Sequence, residues 1–499
     1  FARRPDGSPF DTRWGGTCFD LTRADTQAYL KTVIRTLTRD WGYTYLKMDG
    51  LYTGASVNLN YVCDAFREDE FGQAVLADPH VTQLQMMRNS LKLVRETAGK
   101  EVFLLGCCAP QNMRSAGAAF GLVDAMRIGP DNGANWSGIL RGPEFGARQY
   151  FLHRRVWYND PDPLYVRGAL SLEHARVICS WVTLSGQMNS SSEEYAKLPP
   201  ERLDLLKRTM PSHVATARPV DLFDKRIPGI WLTSDAATAD HLRRDIVGLY
   251  NWGDAEESID EPLAKLGLSA EGEWMAFDFW GNTLTAPLRE RLRQTLAPQS
   301  CLVLALRPVL DRPQLISTSR HITQGMVDVI SERWDARTRT LSGVSQTVAN
   351  DPYELRVLTR VRSGATVGAV VSAAITGANG YEMTVYPGDG VVARPDDAYA
   401  HANTPDAPMT RLFEPVTEEG LVRVTFISGS GGPVAWRVTF SDQPAPTFAP
   451  QAVTFTVPKV PRLDAVPPNP DVRLDSLKPL KTAVGWGSFK VGTALNGPH

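Results

Sequence analysis

Cysteine is scarce, with six in 499 residues. That is too few to build a disulfide scaffold, and with no CxxC or HExxH spacing in the chain no metal site is expected. Long apolar runs are missing as well: nothing approaches the ~20 residues that cross a bilayer, so no membrane insertion is expected. Charge of one sign is also lacking. Lys+Arg total 53 against Asp+Glu 55, a formal net charge of -2, and the two signs are interspersed, which argues against nucleic acid and anionic surfaces as partners and for a neutral one. The opening FARRPDGSPF has neither an initiating Met nor the apolar core of a signal peptide, and reads as cut within a longer polypeptide.

What is present suffices for ordinary cores. Hydrophobic residues make up 43% and aromatics 9%, and the length corresponds to roughly three domains of ~150 residues. Twelve Trp and fourteen Tyr supply flat apolar faces of the kind sugar rings stack on, although β-rich cores consume the same residues. Up to about residue 210, short apolar runs alternate with helical periods. TCFDLT (17–22) precedes a helix expected from about Asp25 to Thr38, and YTYLKM precedes one from about His80 to Thr97. VFLLGC, GLVDAMRI, RRVWY and VICSWVTL continue the series as strands, the signature of a parallel sheet with crossover helices.

Six strands are therefore expected, with Asp20, Asp49, Cys107 with Cys108, Asp131 and Asn159 to Asp162 just after them. That is where the active face of a (β/α) barrel lies. The expected fold class is α/β plus all-β: a (β/α)8 (TIM) barrel over 1–212, N-terminally truncated because its first strands are missing, followed by antiparallel β-sandwich domains. GIWLT, DIVGLYNW, WMAFDFW and SCLVLAL mark a sandwich over 229–350, and YELRVLTRV through VAWRVTF a further β-rich domain over 351–445. SGSGGP (428–433) leads into a strand and not a helix, which disfavours phosphate binding. A proline-rich linker over 446–470 is followed by the start of another module over 471–499.

Three stretches carry candidate chemistry. In YLKMDG (45–50), Lys47 and Asp49 lie two apart and so on one side of a strand. They form either a buried ion pair or a site in which Lys47 favours the ionised form of Asp49. In RIGPDNGANW (127–136), Arg127 ends a strand and Asp131 sits in a Gly/Pro loop before Trp136. Asp131 either caps a turn or, partly desolvated beside Trp136, is held protonated as a general acid. In WYNDPD (157–162), Asn159, Asp160 and Asp162 flank a proline, as a plain turn or as groups that orient the cations of a site. Two carboxylates in unlike environments, ~5–5.5 Å apart, are what a retaining glycosidase needs.

In this order, over consecutive strands, YLKMDG, GLVDAMRIGPDNGANW and WYNDPDPLYVRG resemble the nucleophile, acid/base and following-strand motifs of the α-galactosidases (melibiases) of glycoside hydrolase families 27 and 36. The opening FARRPDGSPFDTRWGGTCFDLTRADTQAYL resembles the strand before the nucleophile, and YNWGD, DFW and SRHITQG resemble the C-terminal sandwich of that group, so the resemblance covers about residues 1–345. It implies a retaining hydrolase that releases terminal α-linked galactose from an oligosaccharide or glycan, without a cofactor, using Asp49 as nucleophile and Asp131 as acid/base. Lys47 and Arg127 match sugar-hydroxyl contacts, Asp160 and Asp162 match the acidic pair of the next strand, and Trp136 is expected to help bind the substrate. Cys107 and Cys108, in LLGCCAP, match the pocket wall near the sugar's 2-position. Some members have an acidic side chain there and this chain does not. An α-N-acetylgalactosaminidase, or another α-glycosidase on the same barrel, is therefore an alternative, and a glycan-binding protein without catalysis is another. Cys107 itself reads as a buried thiol or as half of a strained disulfide with its neighbour. LDSLKPLKTAVGWGSFKVGTALNG resembles the opening of a carbohydrate-binding module, and with the family it implies a secreted or periplasmic home.

Overall fold

Short β-rich segments between the first helices assemble into a parallel sheet in chain order: β1 (Tyr45–Met48), β2 (Phe103–Gly106), β3 (Ala125–Arg127) and β4 (Tyr158–Asp160). The computed structural model describes residues 1–12, 16–58, 71–107, 116–213, 215, 217–362, 368–377, 380–395, 409–441, 493–494 and 497–498. β3 is buried throughout and β2 nearly so, as parallel strands covered by helices must be. Gly106 is the last residue of β2, and a Cβ there would lie 2.7 Å from the Leu51 Cδ1 and 2.9 Å from the end of the Met126 side chain. β1 is different: among the described residues it pairs with β2 alone, and Tyr45 and Lys47 are exposed.

Helix α1 (Ala24–Arg35) and helix α2 (Gln83–Ala98) cover one side of the sheet, burying Ile34 and Val94 against Val102 and Leu104. A reciprocal Thr82/Gln85 capping box fixes the start of α2. After β3 come the short α3 (Trp136–Ile139) and α4 (Arg141–Arg148), and after β4 come α5 (Leu172–Ser185) and α6 (Pro200–Lys207).

Two of the six expected strands are not strands. VICSWVTL lies inside α5, which Ser171 caps and Gly186 ends at φ +68°. Every residue from Val177 to Ser185 is buried, so this part of the helix has no polar face to betray a 3.6-residue period, and its apolar run reads as a buried strand. TCFDLT makes a single bridge, Asp11 to Thr17, and then turns.

The chain then becomes antiparallel. One sheet runs in the order Thr283–Leu284, Trp274–Asp278, Ser300–Pro308, Arg244–Asn251, Ile230–Asp235, Arg218–Pro219. The pair Glu257–Pro262 and Arg291–Leu296 lies over it, enclosing Val247, Leu249, Ile259, Leu292 and Leu304. Its other face shares a core with α5, where the rings of Trp181 and Trp231 meet edge to face at 5.7 Å. A second sandwich pairs the sheet Gln314–Thr318, Pro352–Leu358, Leu421–Ile427, Met409–Phe413, Val391–Pro395 with the sheet Val329–Asp335, Thr340–Thr347, Gly432–Phe440, Val370–Thr376, Glu382–Val385.

The expected break at residue 350 therefore falls inside this sandwich, which begins at Gln314. Strands from before residue 350 complete it by pairing with partners far along the chain, such as Thr340–Thr347 with Gly432–Phe440. The chain divides into two units, Phe1–Thr447 and Phe448–His499. In the second unit only the strand pair Thr493–Ala494 and Gly497–Pro498 is described; the proline-rich linker and the bulk of the expected module lie outside the described residues. Among the described residues no helix is long and apolar enough to cross a membrane.

Candidate active site

The C-terminal ends of β1 to β4 lie side by side, and the polar residues of the three motifs are carried there. Asp49 follows β1, and its Oδ1 accepts the Gly50 N–H at 2.8 Å. Gly50 sits in the left-handed region at φ +63°, which an L side chain would strain, and turns the chain into the helical turn Leu51–Ala55. Lys47 and Asp49 are exposed and no ion pair joins them. Of the two sequence alternatives, the buried ion pair is therefore excluded.

Arg127, at the end of β3, is the hub. Its side chain is 3% exposed, and Nη2 lies 2.6 Å from both Asp131 Oδ1 and Asp162 Oδ2. Nη1 reaches the Cys107 Sγ at 3.8 Å. A guanidinium this deeply buried needs a counter-charge, because uncompensated burial costs several kcal/mol. The two carboxylates that supply it are unlike: Asp131 is 91% exposed and Asp162 only 8%. The desolvation of Asp131 expected from Trp136 is thus absent. The Trp136 ring packs instead against His174 at 4.5 Å and Trp252 at 6.4 Å, on the core shared by α5 and the first sandwich.

The Asp160–Asp162 corner is built with care. Asp160 Oδ1 accepts the Asp162 N–H at 2.9 Å, and Asp162 takes φ +74° across Pro161. Asp162 Oδ2 also accepts the Asn132 N–H at 2.6 Å, and the Asn132 side-chain amide donates to Pro161 O at 3.0 Å. These bonds clasp the loop carrying Asp131 to the end of β4. Burial pushes both carboxyls above the ordinary carboxylate range, while Arg127 pulls each back; the Asp162 N–H and Lys47 also pull on Asp160. Lys47 thus acts on Asp160, a partner the sequence did not indicate.

Asn159 is scaffold: it accepts from Trp157 Nε1 at 3.1 Å and donates to Gln149 O at 2.9 Å. Cys107 is buried at the end of β2, its N–H donating to Met48 O at 2.8 Å. Cys108, and with it the adjacent disulfide, lies outside the described residues. Asp20, expected at the site, instead fastens the segment before α1: its Oδ1 accepts from the Thr22 N–H at 3.0 Å and its Oδ2 from the Ala77 N–H at 2.6 Å.

Three residues of the site were missed by sequence reasoning. Arg141 donates to the Asp131 carbonyl from the start of α4, and nothing in its spacing announces that. Asn132 lies inside a quoted motif but carries no charge. Tyr165, also inside a motif, has its phenol pushed up first by burial and then by Asp162. Among the described residues no group of three or more His, Cys, Asp or Glu is placed to hold a metal ion.

No family model matches the chain. Among solved structures it is similar to a family 27 β-L-arabinopyranosidase from Geobacillus stearothermophilus, with 16% identity, a TM-score of 0.43, and 59% of this chain and 63% of that one covered. It is similar to α-galactosidase I from Mortierella vinacea, with 12% identity, a TM-score of 0.42, and 59% and 74% covered. A match to the isomalto-dextranase of Arthrobacter globiformis T6 complexed with panose has 14% identity and a TM-score of 0.40, with 88% and 74% covered. The chain spans less than two thirds of the arabinopyranosidase.

Proposed function

We propose that the chain carries the catalytic sheet of a retaining glycoside hydrolase that releases terminal α-linked galactose from an oligosaccharide or glycan. What carries this reading is the convergence of Lys47, Asp49, Cys107, Arg127, Asp131 and Asp160 at the C-terminal ends of four consecutive parallel strands, on motifs that resemble those of the melibiases. Asp49 attacks the anomeric carbon while Asp131 gives its proton to the glycosidic oxygen. The bond to the aglycone breaks and a glycosyl ester forms. Asp131 then takes a proton from water, which attacks the same carbon and releases Asp49, so two inversions retain configuration. Lys47, exposed beside Asp49, holds sugar hydroxyls for in-line attack.

The sheet is read as part of a (β/α)8 barrel. The exposed, singly paired β1 supports this, because parallel strands are stable when flanked and covered. A secreted or periplasmic location fits a glycan substrate. The small buried Cys107 at the end of β2 favours one second reading, a sugar with an N-acetyl group at that end of the pocket.

The test is release of phenol from matched aryl α-galactosides and α-N-acetylgalactosaminides by the full-length protein. Asp49→Ala should lower turnover by about 10⁴-fold or more, as loss of a nucleophile does. Wild-type-like rates in that variant would sink the assignment.

A further inference from the structure

We infer that Asp162 is a positioning residue for acid catalysis: it holds Arg127 so that Asp131 can leave the guanidinium with a proton. The inference rests on the acid/base role proposed above for Asp131. A single nitrogen, Arg127 Nη2, serves two carboxylates at 2.6 Å each. Only one of them is fixed. Asp162 is nine-tenths buried, in a left-handed backbone conformation, and its Oδ2 also takes the Asn132 N–H at 2.6 Å. Asp131 is almost fully exposed and, among the described residues, its carboxylate has no partner besides Arg127.

During the reaction Asp131 alternates between carboxylate and neutral acid. As a carboxylate it balances Arg127; as an acid it does not. The buried guanidinium needs a counter-charge in both states, and while Asp131 is neutral Asp162 is, among the described residues, the carboxylate that still forms an ion pair with it, Asp160 adding its charge without one. Asp160 lies two residues before Asp162 and feels the charges of Arg127 and Lys47, Cys107 lies on the other terminal nitrogen of Arg127, Arg141 binds the Asp131 carbonyl, and the Tyr165 phenol feels the charge of both carboxylates. Without the Asp162 charge, Arg127 would be left with no carboxylate bonded to it whenever Asp131 lets go, and the leaving group would depart unprotonated. The carboxylate of Asp162 is engaged by Arg127 and Asn132, so its role runs through them and not through contact with the sugar.

The experiment uses full-length protein and compares kcat/KM across α-galactosides whose leaving groups range from dinitrophenol to simple alcohols. Asp162→Asn keeps the side-chain shape and an oxygen for Asn132 while removing the charge. Dinitrophenolate departs without a proton, so its kcat/KM should fall less than about 3-fold, whereas that of alkyl galactosides should fall about 100-fold or more, the usual reach of general acid catalysis. Equal losses on all substrates would mean a merely structural role and overturn the inference. If the single variant does not fold, Asp162→Glu, which keeps the charge on a longer side chain, should retain the wild-type leaving-group dependence, and a steepened one would overturn the inference. No turnover of any α-glycoside by the wild type would overturn the proposed function and the inference with it, whereas turnover with uniform losses overturns the inference alone.

Discussion

Arg208, directly after α6, reaches from the helical part of the chain into the second sandwich, and its contacts permit a worked estimate. Its side chain is 10% exposed and meets Asp351, 12% exposed, through two bonds of 2.8 and 3.0 Å. A second carboxylate, Asp204, lies 2.7 Å away but is half exposed. Asp351→Ala therefore removes a bidentate partner from a buried cation. Breaking a buried pair costs ~3–5 kcal/mol, and because Asp204 still balances part of the charge the expected cost is at or just below the lower end, about 2–3 kcal/mol. Asp204→Ala, which removes the exposed partner, should cost about 1 kcal/mol or less. Urea unfolding of the full chain followed by tryptophan fluorescence measures both. Arg208→Met with Asp351→Leu should be less damaging than Asp351→Ala alone, since no buried charge is then left without its main partner. A loss below about 0.5 kcal/mol for Asp351→Ala would refute the view that this pair joins the two parts.

Proton NMR of the first turnover of an aryl α-galactoside should show α-galactose appearing before mutarotation, and β-galactose appearing first would exclude Asp49 as a nucleophile. Acid should weaken the fold through His153, His213 and His321, all buried. Burial lowers His153 to about 4 and His321 to about 3, and lowers His213 as well. The unfolded chain binds these protons near pH 6.5 and the folded one does not, so stability is full above about 6.5 and falls toward pH 4 by about 1.4 kcal/mol per unit for each histidine kept neutral. His321→Gln should flatten the decline of unfolding free energy between pH 6.5 and 4; parallel curves for variant and wild type would refute this.

Of the site, the sequence alone made legible the three motifs and their order along consecutive strands, because i and i+2 positions in a strand and polar residues at strand ends are local patterns. Asp49, Arg127, Asp131 and Asp160 could be named in that way. The helices α1 and α2 were legible too, since each keeps an exposed face and hence a 3.6-residue period. α5 was not, because burial on all sides erased that period. Trp136 shows the converse limit: nearness to Asp131 in the chain said nothing of where its ring would pack.

What the sequence by itself determined is the run of strands β1 to β4 with the helices α1 and α2, the change to antiparallel strands later in the chain, and the residues at the strand ends. These follow from side-chain periodicity and backbone propensity, which act over a few residues. Only the tertiary structure decided that Arg127 is shared by Asp131 and Asp162, that Lys47 acts on Asp160, and that the second sandwich begins at Gln314. Each of these depends on burial and on pairing between segments distant in the chain. A charge becomes a constraint only when folding removes its water, and which partner then balances it is set by where the strands lie.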